Sequence, residues 1–198
     1  MRVVSAETEL RILYDAADAE FARSRRIHGG RILCKIGCTD CCEQPFHISE
    51  PEVDRIRAHA GGLAPDVQER LRREASRYLS RRGRLLAEQG LAESRGSLLP
   101  AERRLPCPAL EEGRCSIYPA RPLICRRFGT PVWRPTEPGR LYACEKNFRP
   151  GEKIADPALR ARQESLAVLR EETEEAYRRS GARRSSEPLT VAHALCGP

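Results

Sequence analysis

Eight of the nine cysteines stand in two groups, and that grouping constrains this chain more than any other feature. The first group is Cys34-x3-Cys38-x2-Cys41-Cys42. The second is Cys107-x7-Cys115-x9-Cys125, followed by Cys144. Spacings of two or three residues let a loop fold back so that two thiolates meet one ion at the ~2.3 Å of a Zn–S bond, or one iron of a cluster. Adjacent side chains tend to diverge, so Cys41 and Cys42 are expected to serve different metals, or different irons of one cluster. Eight thiolates could make two four-sulfur sites, or one cluster and a separate zinc. Cys196 falls outside both groups and reads as a spare thiol.

The rest of the sequence says where such ligands can sit. Met1 to Ala22 carries Glu7, Glu9, Asp15, Asp18 and Glu20 and has no apolar core of a signal peptide. No stretch approaches the roughly 18 consecutive apolar residues of a membrane span. The expectation is therefore a soluble, cytoplasmic protein without a membrane partner. In a reducing compartment, patterned cysteines act as metal ligands rather than as disulfides, and an odd total points the same way.

A chain of 198 residues, 5% of them aromatic, makes one modest core, and bound metal is a common staple for such a core. The net charge of +7 is almost wholly arginine, since Lys35, Lys146 and Lys153 are the only lysines. The arginines are scattered along helical stretches among acidic residues, which reads as a solvated face. Nucleic acid is the alternative anionic partner, without a basic aromatic strand or a recognition-helix pattern to support it.

Apolar periodicity predicts a mostly α fold. Leu10, Leu13, Tyr14, Ala17 and Phe21 recur at helical spacing over 5–26, with Ser5 as N-cap and His28-Gly29-Gly30 as the stop. Ser49-Glu50-Pro51-Glu52 reads as a capping box opening a short helix to Gly61-Gly62. Val67, Leu71, Ala75, Leu79 and Leu86 stripe a longer helix from Pro65 to Gln89, and 90–105 reads as a linker. Asp156-Pro157 opens a last helix to Tyr177, with Leu159, Leu166, Leu169 and Thr173 inward. Between Pro106 and Phe148 prolines and glycines recur and apolar runs are short, so metal ligation is expected to order an irregular cysteine-rich lobe. The expected organisation is a single domain over 1–178, with its cysteine-rich core at 32–148, and a disordered tail at 179–198.

Four blocks together resemble a known family. They are Cys34-Lys-Ile-Gly-Cys38-Thr-Asp-Cys41-Cys42, Cys107-Pro108-Ala-Leu110, Gly113-Arg-Cys115-Ser-Ile117-Tyr118, and Arg121-Pro122-Leu-Ile-Cys125-Arg126. Their order and spacing are similar to the YkgJ-like cysteine-cluster family, the zinc- or iron-chelating CxxxCxxCC domain, from Ile32 to Cys144. The resemblance implies that Cys34, Cys38, Cys41, Cys42, Cys107, Cys115, Cys125 and Cys144 are the metal ligands. It also implies an iron–sulfur centre, with zinc as the alternative. Some relatives are described as iron–sulfur oxidoreductases, and larger proteins with a similar pattern as methylases of flagellin lysines. The activities in view are thus redox or group transfer with a protein or redox partner, against a structural zinc module that binds protein or nucleic acid. No residue is assigned a catalytic role.

Arg121, Arg126 and Arg127 bracket Cys125 and could offset the roughly −2 charge of a four-thiolate site. His47 follows Cys42 by five and could be a ninth ligand, though an ordinary histidine is the plainer reading. Cys34-x3-Cys38-x2-Cys41 also has the spacing of a radical-SAM loop, but Asp40 stands where that loop has an aromatic. A nucleophilic cysteine enzyme would need a paired histidine, and the four histidines are scattered.

Overall fold

In the computed structural model, residues 5–35, 37–90, 104–133, 141–149, 152, 154–182, 185 and 187–197 are described. The chain packs as two compact units, each discontinuous in sequence. One comprises Met1–Lys35 and Leu123–Ser180, the other Ile36–Pro122 and Gly181–Pro198.

The first unit is built on α1, Ala6–His28. Ser5 caps it, its Oγ accepting from Thr8 N at 3.3 Å, and Gly29 at φ +54° ends it. A left-handed residue stops a helix most cheaply when it has no Cβ. Leu10, Leu13, Tyr14 and Ala17 of α1 are buried with Leu123 of α4 (Leu123–Arg127) and Leu166 of α5 (Leu159–Arg179). Charge clamps frame this core. Arg23 reaches both Glu20, at 2.7 Å, and Asp156, at 2.5 and 3.0 Å. Arg126 pairs with Asp18 at 2.6 Å and lies 4.0 Å above the Tyr14 ring, pinning α4 to α1.

A short antiparallel pair completes the unit. Its strands, numbered from the chain's start, are β3 (Val132–Trp133) and β4 (Leu141–Tyr142), in the register Val132 to Tyr142 and Trp133 to Leu141. Gln163 on α5 holds it, accepting from Trp133 N at 2.9 Å and donating to Pro131 O at 3.3 Å.

The second unit packs α2 (Glu50–Gly61), α3 (Pro65–Glu88) and α6 (Val191–Leu195) around a larger core of Val53, Ile56, Leu71, Tyr78, Leu86, Leu105, Ile117 and Leu195. The capping box is present: the Glu52 carboxylate accepts from Ser49 N and Oγ at 2.8 Å each. The hairpin β1 (Leu110–Glu111) and β2 (Arg114–Cys115) pairs Leu110 with Cys115 and Glu111 with Arg114. The two residues of its turn, Glu112 and Gly113, both have positive φ, the backbone of the turns that suit a right-twisted hairpin.

The mostly helical fold is as the periodicity predicts, with three differences. The α3 stripe runs Leu71, Ala75, Tyr78, Arg82, Leu86, so Arg82 rather than Leu79 takes the innermost place. It is 1% exposed, with its guanidinium 2.9 Å from His47 Nε2. Charge alone argued for an outward side chain, but a hydrogen-bonding partner inside reverses that preference.

Leu105 belongs to the core rather than to a linker, its N–H donating to Glu43 O at 2.9 Å. Residues 91–103 of that linker lie outside the described residues. Finally, 187–197 is ordered where a disordered tail was expected. Ile48 N donates to Leu189 O at 2.8 Å, and Ala192, Ala194 and Leu195 are buried against α2 and α3. His193 Nδ1 accepts from Thr190 N at 3.0 Å, completing a capping box with a histidine in the position usual for Glu.

Candidate metal centre

The division into units cuts the first cysteine motif between Lys35 and Ile36. Cys38, Cys41, Cys42, Cys107 and Cys115 belong to the second unit, and Cys34, Cys125 and Cys144 to the first.

In the second unit, backbone hydrogen bonds bring the cysteine-bearing segments alongside one another. Asp40–Glu43 forms one turn of 3₁₀ helix, closed by Cys42 N donating to Thr39 O at 2.8 Å. The segment after Leu105 runs alongside, with Cys107 N donating to Cys42 O at 2.6 Å. The hairpin then returns the chain to Cys115, and Ser116 N bonds Ala109 O at 2.8 Å.

The thiols feel one another. Cys41 is pushed well above the ordinary thiol range, first by its hydrogen bond with Cys42 and then by burial. Cys107 is pushed up to about 12 by burial, with Cys115 and Cys41 adding to it. Cys115 is raised by burial as well, against the pull of the Arg121 guanidinium.

Two features of this donor set suit thiolate rather than thiol. The Ala109 backbone amide favours the charged form of Cys107 and the Ile117 amide that of Cys115, in each case the amide two residues on. Arg121, stacked 4.2 Å from the Tyr118 ring, lowers both Cys41 and Cys115. Burial favours the protonated sulfurs, and a bound divalent cation would hold them as thiolates. The residues therefore fit a thiolate-bound metal. Cys38 follows the positive-φ Gly37 in the same unit.

In the first unit the best-defined sulfur is Cys34. Its Sγ lies 3.4 Å from Asn147 Nδ2, and its thiol donates to Phe128 O at 3.9 Å. Gly129, at φ +96°, backs onto it so closely that a Cβ there would stand 2.3 Å from Cys34 Sγ. Cys144 lies one turn before Asn147, its carbonyl accepting from Asn147 N at 2.8 Å and Phe148 N at 2.9 Å. Cys125 is carried by α4.

Among the described residues, no three His, Cys, Asp or Glu side chains converge as a ready-made metal site.

The neighbouring residues sort differently from their sequence reading. Of the three arginines considered for charge balance, Arg121 lies by the sulfurs, whereas Arg126 is taken up by Asp18 and Tyr14. Arg127 has its charge disfavoured by burial. His47 faces a buried guanidinium through Nε2, so that nitrogen acts as acceptor and is not offered to a metal. Cys196 ends α6, 3.8 Å from Ser76 Oγ and away from the cysteine groups in sequence. Gly129 and Asn147 were not singled out from the sequence. Their one signal is that both fall inside the cysteine-bearing segment.

A family model described as "CxxCxxCC: Putative zinc- or iron-chelating domain" matches residues 33–146. No curated protein and no solved structure matches the chain. Among the described residues, no helix is long and apolar enough to cross a membrane.

Proposed function

Because the chain belongs to this zinc- or iron-chelating family, we propose that it holds an iron–sulfur centre on its grouped cysteines and serves in redox or group transfer. The ligands under this reading are Cys34, Cys38, Cys41, Cys42, Cys107, Cys115, Cys125 and Cys144. One observation carries it. The segments of Cys42 and Cys107, more than sixty positions apart, run side by side in one unit, Cys107 N donating to Cys42 O at 2.6 Å, and the hairpin that follows carries Cys115, with Arg121 near enough to favour its charged form. Hydrogen bonds to sulfur and a nearby positive charge are the means by which a protein sets the potential of such a centre.

When bound, the centre would supply one-electron transfer or activation of a donor. The chain's own part is to hold the sulfurs, to place Arg121 against their charge and to shield the half-buried thiolates from water. A partner protein that exchanges electrons with it is the companion this reading calls for.

The test is metal and acid-labile sulfide analysis with a visible spectrum, on protein purified without oxygen. Iron with sulfide in comparable amount and a brown absorbance that bleaches on reduction are expected. Zinc without colour would sink the iron–sulfur reading. It would leave a zinc module that unfolds with chelator, and the search would turn to protein or nucleic-acid partners. Protein that binds neither metal and is fully folded would overturn metal binding altogether.

A further inference from the structure

We infer that Asn147 is the positioning residue of the centre's Cys34 ligand, an amide donor whose hydrogen bond to the sulfur sets how strongly it binds metal. This rests on the reading above that Cys34 is a ligand, and it adds a residue that is neither cysteine nor charged.

The argument begins with satisfaction of a buried amide. Asn147 is 7% exposed, and a buried carboxamide left unpaired is costly. Its Oδ1 accepts from Leu33 N at 2.9 Å, and its Nδ2 donates to Gly129 O at 2.7 Å. Both partners are backbone groups with fixed roles, one a donor and the other an acceptor. They therefore settle which end of the carboxamide is oxygen and which is nitrogen, without reference to the sulfur.

The second Nδ2 hydrogen then has one direction left, and Cys34 Sγ stands in it at 3.4 Å. Asn147 thus ties together three stretches: Leu33-Cys34, the turn after α4, and the Cys144–Asn147 turn in which its own N–H bonds Cys144 O. Gly129 completes the seat. No side chain other than hydrogen fits between the backbone at 129 and the sulfur.

A donor fixed by two backbone groups cannot turn away when Cys34 changes from thiol to metal-bound thiolate. A thiolate accepts more strongly than a thiol, so the bond strengthens when metal arrives. Groups that hydrogen-bond to a ligand in this way typically change metal affinity by about 10- to 100-fold when removed.

Two measurements test this. Wild-type protein loaded with NMR-active cadmium is expected to show a scalar coupling between the metal and one Asn147 side-chain amide proton, transmitted through sulfur. Cobalt(II) titrations against a competing chelator then compare wild type with Asn147→Ala and Asn147→Asp. The aspartate keeps the shape and the acceptor for Leu33 N–H but sets a charged oxygen in place of the donor, so the wild-type cadmium coupling, which needs no variant, decides the matter if the alanine variant does not fold. Both variants should bind cobalt about 10- to 100-fold more weakly, with the sulfur-to-cobalt charge-transfer band moved to lower energy. In a Cys34→Ala background, Asn147→Asp should change neither quantity.

Cadmium coupling absent from a loaded wild type, a variant matching it in band and affinity, or an effect that persists without Cys34 each overturn the inference alone. A wild type that takes up neither cobalt nor cadmium overturns the parent reading and this one with it.

Discussion

The two units hold their cysteine-bearing segments by different means. In the second, main chain holds main chain: Cys107 N to Cys42 O, Leu105 N to Glu43 O, and Ile48 N to Leu189 O. In the first, side chains far apart in sequence clasp one another: Arg23 with Asp156, Arg126 with Asp18, and Asn147 with Cys34 and Gly129. Arg82 with His47 is a side-chain clasp within the second unit, set in its apolar core. Backbone pairing survives most substitutions because every residue but proline supplies it. A side-chain clasp is lost with one residue, so single changes should damage the first unit more than the second.

The largest effect is expected at Asp156, whose side chain is fully buried against an Arg23 side chain 13% exposed. Asp156→Asn leaves Arg23 with Glu20 alone and removes a charge-assisted pair of hydrogen bonds, and should cost about 2–3 kcal/mol in urea denaturation at neutral pH. The same pair sets an acid dependence. The hydrogen bond from Arg23, foremost, holds the Asp156 carboxyl below its ordinary range. Its contribution is therefore complete above the unfolded value of about 3.9 and is lost as pH falls through the lower folded value. Wild type should lose more of its denaturation midpoint than Asp156→Asn between neutral pH and pH of about 3. Equal losses would mean that the pair is not what holds this unit in acid.

Gly129→Ala comes next, combining positive φ with the contact on Cys34 Sγ. A cost of about 1–3 kcal/mol is expected from the backbone alone, read as a lowered melting temperature in metal-free protein. A neutral result would mean that Cys34 is not seated as described.

In the second unit, Thr190→Ala removes the cap of α6 and should cost about 1 kcal/mol. Ser116→Ala removes the oxygen that accepts from Arg70 at 2.7 Å near the hairpin, and should change stability by less than about 0.5 kcal/mol. If Ser116→Ala proved as damaging as Gly129→Ala, the contrast between the units would fail.

What the sequence made legible follows the range of the interactions. Ser5, Gly29 and the Ser49–Glu52 box act within one helical turn, so their signals lie side by side in the chain. The family membership was readable for a related reason, since it rests on cysteine spacing, which is local order repeated. Asn147 and Gly129 were not readable, because each owes its role to Cys34, more than ninety positions away. Arg82 was misplaced for the same cause: its partner His47 outweighs a propensity estimated from Arg82 alone. The α6 helix escaped notice because a Thr-x-x-His cap and a few alanines look like any polar tail until a groove is there to receive them.

The interleaving of the two units in sequence bears on how the protein is made. The first unit opens with α1 but waits for α5, and the second opens before α2 but waits for α6. At roughly 5–20 residues per second of synthesis, Cys34 and Cys41 emerge on the order of ten seconds before the elements that complete their units. During that interval their thiols are not yet enclosed by the elements that later pack beside them, so expression in air would leave its mark before folding has finished.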